Sequence, residues 1–344
     1  MKKNFLKLAK LSLILVYLVI IAGAVVRMTG SGMGCPDWPK CFGYYVPPTD
    51  VETLQWQTNR EFKKGQVIIY GETLQVAKRD FTTADTFFDN NWEAYTKHDY
   101  AIFNVWHTWI EYVNRLLGAL AGLATLALAL LSLRYWSENK LLTLLSWLIV
   151  FGMGFQAWLG ATVVYSLLAP VRITLHMLMA LVIVGLLIYL IYRTSDKKVK
   201  AETKIPLKNL LISALALTLV QIALGTQVRQ FVDEQIDTLG ESAKNLWLAS
   251  PTLKFYIHRS LSIVVLLLNG CIFWMIKRKK LTLPKMNWVL ALLLLEIATG
   301  IVMYYFDFPF ASQPLHLVLA SLLFGVQFYL ILEVSQKQAF GTNS

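Results

Sequence analysis

The run Phe255–Ile276, FYIHRSLSIVVLLLNGCIFWMI, has only two ionisable side chains of consequence, His258 and Arg259, and both lie near its start. At a rise of 1.5 Å per residue, a helix of this length crosses a hydrocarbon core of about 30 Å. Seven other runs read the same way. The spacing predicts eight spans, at about 11–29, 103–133, 141–166, 171–193, 207–229, 254–276, 286–306 and 313–335. The chain is therefore an all-α integral membrane protein, with 56% apolar and only 15% charged residues. Its N-terminus, MKKNFLKLAK followed by an apolar run, is like a signal peptide but lacks an A-x-A site, so it reads as a retained first span.

The net charge of +11 could point to a nucleic acid, but the basic residues flank apolar runs and form no soluble patch. Lys2, Lys3, Lys7, Lys10, Arg134, Lys140, Arg193, Lys197, Lys198, Lys200, Lys204, Lys208, the run Lys277–Lys280 and Lys285 all fall on one side. The other side carries a long, net acidic loop at 30–102, a turn near Leu167–Pro170, the loop 230–253 and a turn near Asp307–Pro309. Positive charge is retained on the cytoplasmic side, so both termini are expected there, in the inner (cell) membrane. Nucleic acid is excluded as a partner. The bilayer is the expected surroundings.

That orientation places the histidines. His107, His176, His258 and His316 each lie near the outward end of an even-numbered span, and no odd-numbered span has one. His98 falls in the outer loop and reads as solvated. An ionisable group inside a membrane span is costly and is a functional candidate by default. His258 and His316, at matching depth on two helices, suggest one shared ligand, and the flat group that two facing imidazoles most often hold is haem iron. Arg259 is spaced to meet a propionate. The plain alternative is a pair of core histidines hydrogen-bonded across helices.

The chain also repeats. Asn114-Arg115 matches His258-Arg259, and His176 matches His316. Gly23, Gly160, Gly225 and Gly300 recur in the odd spans. Arg27 and Arg229 follow their glycine by four, while Gln156, Gln221 and Glu296 precede theirs by four. Two copies with an even number of spans share one orientation, so this is a parallel repeat of four-helix bundles, 1–195 and 205–335. The glycines suit close helix packing, or room for a flat ligand, or both.

In span two, His107, Glu111 and Asn114 share one helix face, and Arg115 follows Glu111 by four. Glu111 is either the partner of Arg115 or a catalytic carboxylate beside a substrate. Asn114 stands where the repeat calls for an iron ligand, and asparagine is a poor one. His107 is roughly 10 Å away along the axis. The rear half can thus hold iron from both sides, and the front half from one side only. Cys35 and Cys41 sit on the outer side, where an oxidising compartment permits a disulfide, with free thiols as the alternative. Cys271 reads as inert packing. Loop 30–102 is too long and aromatic for a linker and is expected to form a partly ordered cap.

RMTGSGMGCPDWPKC after span one, IEYVNR in span two, and the histidines heading spans four, six and eight resemble the haem A synthase family, its mitochondrial and proteobacterial branch. The resemblance covers essentially the whole membrane part. It implies oxidation of the C8 methyl group of haem O to a formyl group, giving haem A for cytochrome c oxidase. It implies haem B as cofactor on His258 and His316 in 205–335, a substrate site in 1–195 with Glu111 catalytic and His176 on the substrate iron, and a paired Cys35 and Cys41. Many family members have histidine where this chain has Asn114. The substrate iron is then expected on His176 alone or with water, with His107 as a substitute ligand. Haem O synthase, an unidentified electron acceptor and a second copy of the chain are the partners to expect. A di-haem b-type electron carrier needs matched ligands in both halves, and a non-enzymatic haem carrier has no use for Glu111.

Overall fold

The computed structural model describes residues 2–195 and 207–335. Lys197, Lys198, Lys200 and Lys204, four of the basic residues used above for orientation, lie outside the described residues, as does the expected boundary between the halves. Among the described residues, eight helices are long and apolar enough to cross a membrane. They are α1 (Lys2–Met28), α2 (Val105–Ser132), α3 (Lys140–Tyr165), α4 (Pro170–Thr194), α5 (Leu207–Leu239), α6 (Leu253–Arg278), α7 (Lys285–Tyr305) and α8 (Ser312–Ser335). Leu267, Trp288 and Phe151 are exposed on them. In a lipid-facing helix such residues need no protein partner, because the backbone is satisfied internally and lipid replaces the core.

Most ends fall within a few residues of the reading from sequence. Two do not. α1 starts at Lys2, because its basic first turns continue the helix. α5 runs ten residues past its last apolar stretch. Arg229 pairs with Asp233 at 2.5 Å and Gln230 donates to Glu234 at 2.6 Å, both one turn apart, and these contacts carry the helix into polar sequence. Gly240, at φ 88°, then ends it by donating to Ile236 O.

The chain divides into two compact units, each described separately. One comprises Leu18–Gly122 and Met153–His176, and the other comprises Met1–Tyr17, Leu123–Gly152 and Met177–Ser344. In the second, α5 packs on α6 and α8, and α7 packs on α6 and α8, so the last four helices close into a ring. Of the eight spans, α8 is the most enclosed, with 56% of its apolar window buried against 17% for α7. Tyr17 of α1 donates to Ser321 O at 3.2 Å and lies over Gly325, where a Cβ would stand 2.5 Å from its hydroxyl. Gly185 of α4 faces Phe324 and Phe328.

The first unit contains the outer loop, which is more ordered than expected. It holds five short strands: β1 (Glu61–Phe62), β2 (Val67–Tyr70), β3 (Thr73–Ala77), β4 (Phe81–Thr82) and β5 (Trp92–Ala94). β1 pairs with β4, and β2, β3 and β5 form an antiparallel sheet. Gly71 and Glu72, both at positive φ, make the tight type I′ turn between β2 and β3. One small core gathers Phe62, Ile68, Ala77 and Trp92. The other gathers Phe42, Leu54, Val67 and Leu74 around Cys35 and Cys41.

Local geometry recurs along the membrane part. One offset carries Gln156, Gly160, Leu167, Leu168 and His176 onto Glu296, Gly300, Asp307, Phe308 and His316. Leu167 and Leu168 close the end of α3 in the left-handed region, at φ 51° and 63°, and Asp307 and Phe308 do the same after α7, both at 53°.

Candidate functional site

The rear site is built on α6 and α8. The rings of His258 and His316 lie 6.4 Å apart between centroids, with their planes at 73°. Each imidazole faces a glycine of the neighbouring odd-numbered helix. A Cβ on Gly225 would stand 3.2 Å from His258 Cε1, and one on Gly300 would stand 3.8 Å from His316 Cε1. Larger residues at those positions would fill the space beside the rings. Gln221 Nε2 donates to the backbone oxygen of His258 at 2.8 Å, tying α5 to α6 at that level. His316 Nδ1 lies 3.0 Å from Glu296 Oε2 and 2.8 Å from Thr299 Oγ1. His258 Nδ1 is buried without a partner among the described residues. Arg259 is exposed at the head of α6, one residue past His258.

The donor set suits a haem. Among the described residues, no three His, Cys, Asp or Glu side chains come together as they would around a bare metal ion. Two imidazoles alone suffice when a macrocycle supplies the other ligands. Their separation admits one metal atom at about 2 Å per metal–imidazole bond.

The front site repeats the glycine register with a different pair of facing side chains. A Cβ on Gly160 would stand 3.3 Å from His176 Cε1, and one on Gly23 would stand 3.9 Å from Asn114 Oδ1. Gln156 Nε2 donates to the backbone oxygen of His176 at 2.9 Å, the counterpart of the Gln221 contact. Asn114 Oδ1 and His176 Nδ1 are buried without partners among the described residues. His107 lies in the first turn of α2, which Asn104 caps by accepting from Trp106 N at 3.0 Å and His107 N at 3.2 Å. The ring of His107 makes no hydrogen bond or ion pair with the described residues, and nothing brings it level with Asn114.

Cys35 and Cys41 form a disulfide, both buried. The loop between them is held by α2. Glu111, 4% exposed, accepts from Cys35 N at 2.8 Å through Oε2 and pairs with Arg115 through Oε1. Arg115 also donates to the carbonyls of Asp37 at 2.6 Å, Lys40 at 2.8 Å and Cys35 at 3.1 Å. Thr108 donates to Gly34 O at 2.7 Å. A Cβ on Gly34 would overlap His107 O, so only glycine lets the loop approach this closely. Of the two readings of Glu111, the partnership with Arg115 is present, and the contact with the disulfide loop is an addition to it.

Asp37 completes the loop. Its carboxylate accepts from Phe42 N at 2.5 Å and Gly43 N at 2.8 Å. Burial raises its pKa above the usual carboxylate value, against the lowering pull of those N–H groups and of Arg115. Asp37 was missed in the sequence. The signal was available, since an aspartate between prolines commonly bonds nearby backbone N–H groups. His98 corrects an expectation: it is not merely solvated, since its Nε2 meets Pro36 O at 2.9 Å, beside Tyr95, whose hydroxyl donates to the same oxygen. Cys271 corrects another, because it is exposed and is not packed in a core.

The family model COX15-CtaA, described as "Cytochrome oxidase assembly protein", matches residues 7–328. A protein named Heme A synthase from Rickettsia bellii (strain RML369-C) is 26% identical over 95% of this chain and 97% of its own length. One of the same name from Ehrlichia canis (strain Jake) is 24% identical over 92% of this chain and 89% of its own. Another, from Shewanella oneidensis, is 26% identical over 63% of this chain and 54% of its own.

Proposed function

The chain belongs to the COX15-CtaA family of cytochrome oxidase assembly proteins, and on that premise we propose that it is a haem A synthase, oxidising the C8 methyl group of haem O to a formyl group. The observation that carries this reading is the unequal pair of sites. The rear pair, His258 and His316, has an imidazole at both positions, while the front pair has one imidazole, His176, and an amide, Asn114. A front site with one imidazole suits a ligand that enters and leaves. On the front site's ligand helix α2 a buried carboxylate, Glu111, lies one turn before Asn114, whereas the buried carboxylate of α8, Glu333, lies far along the helix from His316 and pairs with Lys285.

In this reading residues 205–335 keep haem B on His258 and His316, with Arg259 available to a propionate. A haem held there supplies one-electron transfer. Residues 1–195 take haem O as substrate. His176 holds its iron, Asn114 leaves the opposite face open to water, and Gly23 and Gly160 keep the space beside both side chains clear. His107 is not required as a ligand. The overall change adds one water oxygen to the methyl carbon and releases four electrons and four protons. Glu111 Oε2, which has a free lone pair beside its bond to Cys35 N, takes a proton from the methyl group as positive charge develops there. Arg115 keeps that carboxylate aimed by holding Oε1. The electrons go to an acceptor outside this chain, and haem O synthase provides the substrate. The positive-inside bias supports an orientation with both termini in the cytoplasm, and the reading takes the membrane to be the cell membrane.

Co-expression with haem O synthase in a host lacking this activity, followed by chromatography of extracted haems, tests the reading. Haem A should appear with the wild type. Glu111→Gln should lower the yield at least ~100-fold, the usual scale for a lost proton acceptor, while haem B stays bound. Full haem A production by that variant would remove Glu111 from the chemistry.

A further inference from the structure

We infer that Glu296 is a positioning residue that gives His316 anionic character, so that the two imidazoles of the rear site are chemically unequal. The inference rests on the reading of that site as a resident haem.

The hydrogen-bond inventory around His316 Nδ1 decides the tautomer. Two oxygens face it, Glu296 Oε2 at 3.0 Å and Thr299 Oγ1 at 2.8 Å. Thr299 has already committed its hydrogen, donating to the backbone oxygen of Glu296 at 2.9 Å. Thr299 thus acts as an acceptor, and Glu296 does so as a carboxylate, so Nδ1 carries the proton and shares it between them. That leaves the lone pair on Nε2 for a metal. A carboxylate that accepts from the far nitrogen of a ligating imidazole raises the basicity of the near one.

The other ligand positions lack this device. Gln156 and Gln221 occupy the register that Glu296 occupies, four residues before their glycine. Each donates through Nε2 to the backbone of its histidine and does not reach the ring. His176 Nδ1 and His258 Nδ1 have no partner among the described residues. A carboxylate within a span is costly where an amide of the same shape serves at two equivalent positions. Cross-linking α7 to α8 would not require the charge, since a glutamine oxygen accepts the same hydrogen bond.

A more basic ligand favours the oxidised metal. The test is a redox titration of full-length wild type and Glu296→Gln, purified from a host without haem O synthase, with haem content measured alongside. Glu296→Gln should retain its haem and favour the reduced form about tenfold, an upward shift of about 59 mV for a one-electron couple. An unchanged midpoint with haem retained overturns the inference. Wild type without haem overturns instead the reading of the rear site. If Glu296→Gln does not accumulate, the oxidised wild type decides. A near-infrared charge-transfer band displaced to higher energy from that of a neutral bis-imidazole haem supports the inference, and an undisplaced band overturns it.

Discussion

The front and rear candidate sites share a glycine register and differ in the side chains around it. In both, a glycine on an odd-numbered helix faces a ligand position on the next even-numbered one: Gly23 with Asn114, Gly160 with His176, Gly225 with His258, Gly300 with His316. The offset that takes Asn114 to His258 takes Glu111 to Phe255, which is buried and stacks on Tyr304 at 5.4 Å. The front half thus has a carboxylate where the rear half has a phenyl ring. The offset that takes His176 to His316 takes Gln156 to Glu296. The backbone register supplies clear space in both halves, and a few substitutions decide what that space does. On the proposed reading, those in the rear favour permanent grip and those in the front favour access and chemistry.

The largest expected effect is on grip. His258→Ala should remove the resident haem almost completely, as measured by pyridine haemochrome on purified protein, while His107→Ala should leave it bound. A full complement of haem in His258→Ala would erase the distinction between the halves. Asn114→His should make the front resemble the rear. Carbon monoxide binding to the reduced, substrate-loaded protein should fall at least ~10-fold in that variant, because an imidazole would occupy the open face. Unchanged carbon monoxide binding would show that Asn114 does not face the substrate iron.

Smaller effects belong to the disulfide loop, which the rear half lacks. Cys35→Ser with Cys41→Ser should destabilise the cap by about 2 kcal/mol, the loop-closure scale for so short a crosslink, and denaturant unfolding monitored through the cap tryptophans would measure it. The smallest effect is a pH dependence. Asp37 has a folded-state pKa above its ordinary value of 3.8, so the folded state binds its proton more tightly. The stability it contributes is fully present below 3.8 and is lost as pH rises through the raised value. The melting temperature of wild type minus that of Asp37→Asn should therefore increase as pH falls from about 6 to about 4. A flat or opposite trend would mean that burial does not dominate at Asp37.

The eight spans, the disulfide-forming pair and the ligand candidates were legible because each is a one-dimensional signal. Apolar length reports bilayer thickness. A histidine within such a length reports a cost that must have a reason. The regular spacing of glycines and histidines followed from the 3.6-residue turn and from repetition along the chain. What the residue order left undecided was every choice among partners. Glu111 could have served Arg115 or a substrate alone, and the fold gives it to Arg115 and to Cys35 N. Glu296 was visible as a residue four before Gly300, yet its contact with His316 needed α7 and α8 to meet at one level. The strands of the cap and the hold of Asp37 on Phe42 and Gly43 were also hidden. Hydrogen bonds between residues distant in sequence depend on which surfaces come within about 3 Å of each other, and hydropathy along a chain has no term for that.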